Sequence, residues 1–249
     1  MEEQPATELG QRLVKALGDA ARGLSARSSG GPEQVLELIV AGAVQTVPGA
    51  EQAGVLLLAR DGTVTSHAPS DEMVARIDRL QAQHQQGPCV TALWEQHTVT
   101  VDDLAGETTR WPVFAPEALA SGVVSTLSFQ LFTSEDTLGA LNLYSGRRAG
   151  FDERSQMLGS LFASHAAQAL GRAQETEQLH QALLTRDVIG QAKGILMERF
   201  GLGDDAAFAM LVRSSQDTNV KLVDVARWLT TEGKSRHEPP DPAISTATT

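Results

Sequence analysis

The chain has one cysteine, Cys89, one tyrosine, Tyr144, and only 4% aromatic residues. A single cysteine excludes an internal disulfide framework and a zinc site built on a cysteine cluster within one chain. No run approaches the roughly 18 apolar residues that a membrane span needs, and "MEEQPATELG" opens acidic with no apolar h-region behind it. No secretory leader and no membrane association are therefore expected, and the expected compartment is the cytoplasm. Catalytic signatures are missing as well: no GxxxxGKS loop, no GxSxG elbow and no HExxH pair occurs. Asp102-Asp103 is a pair on adjacent residues, which in an extended strand point to opposite faces and cannot share acid–base work. His67, His84 and His97 lack metal-ligand spacing. Neither enzymatic activity, nor a metal, nor a resident cofactor is expected, and no phosphorylated receiver domain is discernible.

What is present is a 249-residue chain with 41% hydrophobic residues, long enough for one large domain plus a smaller module. The net charge of −11 is unevenly distributed. Residues 1–181 carry 12 basic against 22 acidic side chains, whereas residues 182–236 carry 8 against 7. The acidity belongs to the first part, and the last part is neutral, with cations available to gather on one face.

Apolar spacing predicts a helix over 8–24, a break at "ARSSGGP", and a second helix from Pro32 that ends at Pro48-Gly49. "QAGVLLLARDGTVTSHA" reads as a hairpin turning at Asp61-Gly62. A helix capped by Ser70 or Asp71 follows and ends near Gly87-Pro88, with a short helical piece around Ala92 to Gln96. "HTVTVDDL" reads as a strand, "WPVFAPEALASG" as a helix, and "VVSTLSFQLF" with "LGALNLYSG" as two strands around the turn "TSEDT". Helices, hairpin, helices, hairpin is the order of an antiparallel α+β domain. From Phe151 a long helix follows, with a seam at Leu158, Phe162, His165, Ala169, Thr176, Leu179 and Leu183. Its first half is expected to pack on the sheet and its second half to dimerise. Gly201 and Gly203 end it, Asp204 or Asp205 caps "AAFAMLVRSSQ", and "KLVDVARWL" closes the ordered part. Residues 237–249 read as a disordered tail.

Within the long helix, "TRDVIGQAKGILMERFG" carries Gly190 and Gly194 in its interior, each costing about 1 kcal/mol relative to alanine. A helical wheel puts Leu184, Val188, Ile189, Ala192, Ile195 and Leu196 on an apolar side and Arg186, Gly190, Lys193, Gly194 and Met197 opposite. The glycines thus leave a trough beside two cations. Either a phosphate backbone or unstacked base enters it, or a second helix does, since Gly190 and Gly194 form a small-x-x-x-small pair.

Residues 179–231, through "RDVIGQAKGILM", Ala207-Phe208, Leu211, Arg213, Ser215, Asn219, Lys221-Leu222 and Val225-Ala226, resemble an ANTAR domain. Residues 33–170, through "QGPC", "TVTVDDL", "RWPVFAPEALASGVVSTLS" and "LGALNLYSGRRAGFDE", resemble a GAF domain of the kind fused to ANTAR modules in actinobacteria. The resemblance implies a α+β, antiparallel-sheet GAF sensor domain, a long helix and an all-α three-helix ANTAR module. It divides the chain into an N-terminal helix and linker (1–32), the GAF domain (33–170), the linking helix with the ANTAR domain (171–236) and the tail (237–249). ANTAR proteins bind paired RNA hairpins, which implies stem-loops in nascent transcripts as partner. Arg186 and Lys193 would neutralise phosphates, Gly190 and Gly194 would allow close approach, and Arg213, Ser215, Asn219 and Lys221 would add backbone or base-edge contacts.

Several of these have an ordinary structural alternative. Asn219 is equally a turn residue in a left-handed conformation, Ser215 equally a helix-end cap, and Trp228 is assigned to the core with Leu222, Val225 and Leu229. In the GAF domain a small-molecule pocket would involve Cys89, Trp94, Trp111 and Tyr144, with Cys89 read as a buried thiol. The expected function is a signal-responsive transcription antitermination regulator acting as a homodimer. Its rivals are a sensor or adaptor with a protein partner and a DNA-binding regulator using the last helix.

Overall fold

The computed structural model describes residues 31–95, 97–134 and 136–235. The helix expected over 8–24 and the tail from 237 lie outside the described residues. The chain divides into two compact units between Glu177 and Gln178.

In the first unit, α1 (Gly31–Thr46) starts with Pro32 in its first turn, where a missing N–H costs nothing. The hairpin β1 (Gln52–Leu58) and β2 (Val64–His67) turns where Asp61 accepts from the Thr63 N–H at 2.9 Å. Asp71 caps α2 (Glu72–His84), accepting from the Val74 N–H at 2.9 Å. The short helix expected around Ala92 to Gln96 begins earlier, as α3 (Pro88–Trp94), because Pro88 with φ preset initiates it. Then come β3 (Thr98–Val101), a 3-10 turn (Leu104–Glu107), α4 (Phe114–Ala120), β4 (Ser125–Phe132) and β5 (Thr137–Ser145). The Asp102-Asp103 pair lies past the strand, where Asp103 caps the 3-10 turn and pairs with Arg148 at 3.2 Å.

The five strands form one antiparallel sheet in the order β2-β1-β5-β4-β3. Their period of two sorts the side chains into two faces. Ala53, Val55, Leu127, Phe129, Leu131, Leu141 and Leu143 face α1 and the first part of α5 (Glu153–Phe200). Ser66, Thr126, Ser128, Asn142 and Tyr144 share the opposite face with Leu56, Val99 and Val101, and α2, α3 and α4 cover it. The sheet is buried on both sides.

The expected seam on α5 is corrected by this packing. Leu158, Phe162 and Ala169 are buried, but His165 and Thr176 are exposed. The buried stripe instead runs through Phe162, Ala163, Ala166, Ala167, Leu170 and Ala173, whose alanines let the helix come close to the sheet. Contact is closest at Gly159, where a Cβ would lie 2.4 Å from the Phe129 ring.

The second unit contains the last part of α5, α6 (Asp204–Thr218) and α7 (Leu222–Ser235). Ala192, Leu196, Ala207, Leu211 and Ala226 form its core, ringed by Val188, Ile189, Met197, Leu202, Leu222, Val225 and Leu229. Met197 therefore belongs to the core side, not to the open side of the wheel. Gly201 breaks the long helix at φ 63°, and Gly203, not an aspartate, occupies the cap position of α6. Asp204 and Asp205 sit in the first turn, where the helix dipole favours negative charge.

Candidate nucleic-acid interface and buried polar core

Gly190 and Gly194 face open space: a Cβ at either would meet nothing within 4 Å. Close packing against a helix of the same unit is thus not the reason for them. Beside Gly190 lies an open groove of about 730 Å³, lined by Gln181, Ala182, Thr185, Arg186, Asp187, Ile189, Gly190, Lys193 and Phe208. Arg186 is exposed. Lys193 departs from the expectation of a freely accessible cation: its side chain is only 22% exposed, and its Nζ lies 2.6 Å from Asp204 Oδ1. The same ammonium stands 5.9 Å from the centre of the Phe208 ring. Lys193 thus ties α5 to the first turn of α6 while bordering the groove.

The structure brings Arg186, Gly190 and Lys193 together, and Gly194 is not part of the groove lining. Arg213 and Lys221 are exposed on α6 and at the start of α7. Ser215 and Asn219 both have local structural roles. Ser215 Oγ donates to the Val220 carbonyl at 2.6 Å, and Asn219, at φ 52°, ends α6 in the left-handed conformation. Replacing Asn219 by Gly is accordingly expected to leave thermal stability and any RNA affinity within about twofold of wild type, whereas Asn219→Val costs about 1 kcal/mol or more in a melting experiment. A Gly variant that folds normally and loses RNA binding would return Asn219 to the interface.

Two aromatic side chains are placed differently from expectation. Trp228, assigned to the core, is 64% exposed, because Leu222, Val225, Ala226 and Leu229 fill the stripe of α7 that faces the core. Phe208, which sequence reasoning used only as a mark of resemblance, is half-exposed and lines the groove. The signal was its place beside Ala207, one residue off the Ala207–Leu211 stripe that the core uses.

In the first unit the proposed pocket residues separate. Trp94 is exposed. Trp111 is buried edge-on against Phe114, with the Arg110 guanidinium 4.7 Å from its ring centre. Cys89 and Tyr144 do meet, in a buried polar network centred on Asp78 and Gln81 of α2, which sequence reasoning passed over. The Tyr144 hydroxyl donates to Asp78 Oδ1, and Asn142 Nδ2 donates to the same oxygen at 3.2 Å. Ser128 Oγ donates to Asn142 Oδ1 at 2.9 Å. Gln81 Nε2 donates to Tyr144 at 3.0 Å, and its Oε1 accepts from the Cys89 N–H at 3.0 Å.

The "QGPC" segment builds this corner. Gln86 Oε1 accepts from the Val113 N–H at 3.0 Å at the start of α4. Gly87, at φ 120°, leaves room for Gln81, whose Oε1 would lie 2.4 Å from a Cβ there. Among the described residues no cation compensates Asp78. Burial raises its pKa from 3.8 to about 6, against the opposing hydrogen bonds from Tyr144 and Asn142. The Ser66 hydroxyl opposes it more weakly, without reaching hydrogen-bond geometry, so that Asp78 Oδ2, Ser66 Oγ and Thr126 Oγ1 are buried without partners. Burial, reinforced by the Asp78 charge, pushes the Cys89 thiol and the Tyr144 phenol well above their ordinary range, which fits the reading of Cys89 as an inert thiol.

Among the described residues no group of three or more His, Cys, Asp or Glu is placed to hold a metal ion, and no helix is long and apolar enough to cross a membrane. Residues 30–171 match the family model of the GAF domain and residues 177–229 that of the ANTAR domain. No curated protein matches the chain. Among solved structures, the GAF domain of a phosphoenolpyruvate-protein phosphotransferase from Coxiella burnetii is similar. It is 16% identical, with 67% of this chain and 96% of that one covered and a TM-score of 0.51. The corresponding GAF domain from Acinetobacter gives 10% identity, 65% and 94% coverage and a TM-score of 0.50. A bacteriophytochrome from R. palustris gives 13% identity and a TM-score of 0.52, with 83% of this chain but 46% of that one covered. At these identities the likenesses speak for the fold alone. The GAF model spans more than half of the chain and the ANTAR model lies directly behind it: the chain belongs to the GAF family and has the architecture of a regulator, a GAF domain followed by an ANTAR domain.

Proposed function

We propose that this chain is a signal-responsive transcription antitermination regulator: its ANTAR domain binds stem-loops in nascent RNA, and its GAF domain is the sensory input. The reading is of a cytoplasmic homodimer that works by binding and not by catalysis. The observation that carries it is the open groove beside Gly190, rimmed by Arg186 and Lys193, in a module whose glycines serve no contact of their own. Arg186 reaches phosphate from an exposed position, and Gly190 admits the backbone. Binding would stabilise one RNA fold at the expense of the terminator. A small molecule or partner on the GAF domain would alter this only by as much as its affinity differs between the two states.

The test compares binding of the full chain to a two-hairpin RNA and to duplex DNA at equal salt, followed by transcription in vitro through a terminator preceded by that RNA. Preference for RNA with increased read-through is expected, and Arg186→Ala is expected to lower RNA affinity about five- to tenfold with a shallower salt dependence. Equal binding to duplex DNA would favour the DNA-reading alternative, since α7 exposes Trp228 and Arg227. Leu179 and Leu183, exposed on α5, favour a second copy of this chain as protein partner.

A further inference from the structure

We infer that the groove beside Gly190 takes one unstacked nucleobase of the RNA loop, stacked on the Phe208 ring; this rests on the RNA-binding reading above. Phe208 is 42% exposed, and its outward surface forms part of the groove wall. An aromatic side chain is not needed there for packing, because Ala207 and Leu211 already supply the part of α6 that the core uses. Across the groove Gly190 contributes no side chain, which leaves the width that a flat ring needs.

The surroundings fit a nucleotide better than an apolar partner. Arg186 and Lys193 stand on the rim where a phosphate bonded to the inserted nucleoside would lie, and the Lys193 ammonium 5.9 Å from the Phe208 ring already makes a cation–π contact that a stacked base extends. The ammonium has three N–H donors, of which Asp204 engages one, so a phosphate can share it without breaking the tie between α5 and α6. Thr185 adds a hydroxyl at the wall, in reach of a base edge or a ribose. A helix from a second copy would instead bury Arg186 and Asp187, which also lines the groove, at a contact centre where interfaces avoid charge. Single-stranded loop bases, stacked on aromatic side chains, are what proteins read in RNA hairpins.

The experiment starts from a pool of RNA hairpins with randomised loops, enriched on the full chain. Each loop nucleotide of the selected RNA is then replaced in turn by an abasic one. One abasic position is expected to weaken binding by about tenfold or more, and Phe208→Leu to weaken the intact RNA to a similar extent. The two changes together should weaken it no further, while Phe208→Trp retains affinity. Thermal unfolding of both variants reports folding, and Trp keeps the test valid if Leu disturbs the module. Multiplicative losses at every abasic position, or wild-type affinity in Phe208→Leu, would overturn the inference while leaving RNA binding intact. Failure of the wild-type chain to enrich any hairpin overturns the RNA-binding reading, and the inference with it.

Discussion

Asp78→Asn is expected to be more stable than wild type at pH 7, by on the order of 3 kcal/mol, with an advantage that is small near pH 4 and grows to its full size above about pH 6. Asp78 is fully buried with no cation beside it among the described residues, and burial raises its pKa from 3.8 to about 6. The native state therefore keeps a proton that the unfolded chain has released between those values. Where the native state binds more protons, stability falls as pH rises, so the penalty grows through this window and is complete above it. Holding a carboxyl near 6 in the native state against 3.8 in the unfolded chain costs on the order of 3 kcal/mol once both states have ionised. Asparagine is neutral throughout and nearly isosteric. Its Oδ1 still accepts from Tyr144 and Asn142, and its amide N–H donors stand where Oδ2 has no partner. Tyr144 and Cys89, the other titratable groups facing Asp78, are both raised and stay protonated below pH 8. Urea unfolding followed by Trp111 fluorescence, in a background with Trp94 and Trp228 replaced by Phe, measures this. A stability difference between the two proteins that is flat from pH 4 to 6, or an Asn variant less stable at pH 7, would refute the assignment.

The same residue shows where sequence reasoning stopped. Strand positions and turns, and the helix starts of the first unit, were legible because Asp61-Gly62, Asp71 and Pro32 act locally, through φ preferences and side chain to backbone hydrogen bonds. What covers each face of the sheet was not. "STLSFQLF" and "LNLYS" alternate apolar with polar residues, the pattern of a sheet with one face in water, yet their polar face is covered by α2 to α4, where Ser128 and Asn142 find partners within the core and Thr126 Oγ1 finds none. Asp78 and Gln81 were readable in principle, since they share a helical face with Val74 and Ile77, but a carboxylate at a core position gains meaning only from the strand residues it meets. The ANTAR residues divide in the same manner. Asn219 and Ser215 show local roles of the kind that a sequence lists beside an interface role. The tie of Lys193 to Asp204 and the exposure of Phe208 and Trp228 depend on the crossing of α5 with α6 and on the small residues in the core.

Arginine at both Leu179 and Leu183 is expected to make the chain monomeric and to weaken its binding of a two-hairpin RNA by about 100-fold or more, with affinity for a single hairpin unchanged. These leucines are 64% and 52% exposed, one turn apart on α5, and none of the described elements of their own unit covers them. Two such side chains on one helix face carry an apolar stripe that water disfavours and that a second copy would bury across a two-fold axis. Joining two RNA-binding modules converts the second hairpin's binding into an intramolecular step, and short tethers raise the local concentration to about millimolar. Avidity then exceeds the affinity of one module by roughly 10²- to 10⁴-fold, and it disappears when the pairing does. Introduced arginines add positive charge, which by itself favours RNA, so a loss of affinity cannot come from simple electrostatics. Light scattering gives the mass of each variant, and titrations at one fixed salt concentration give both affinities. A variant that remains dimeric refutes the role of these leucines, and equal weakening towards one hairpin and two would mean that they serve the RNA surface itself and not the pairing of modules.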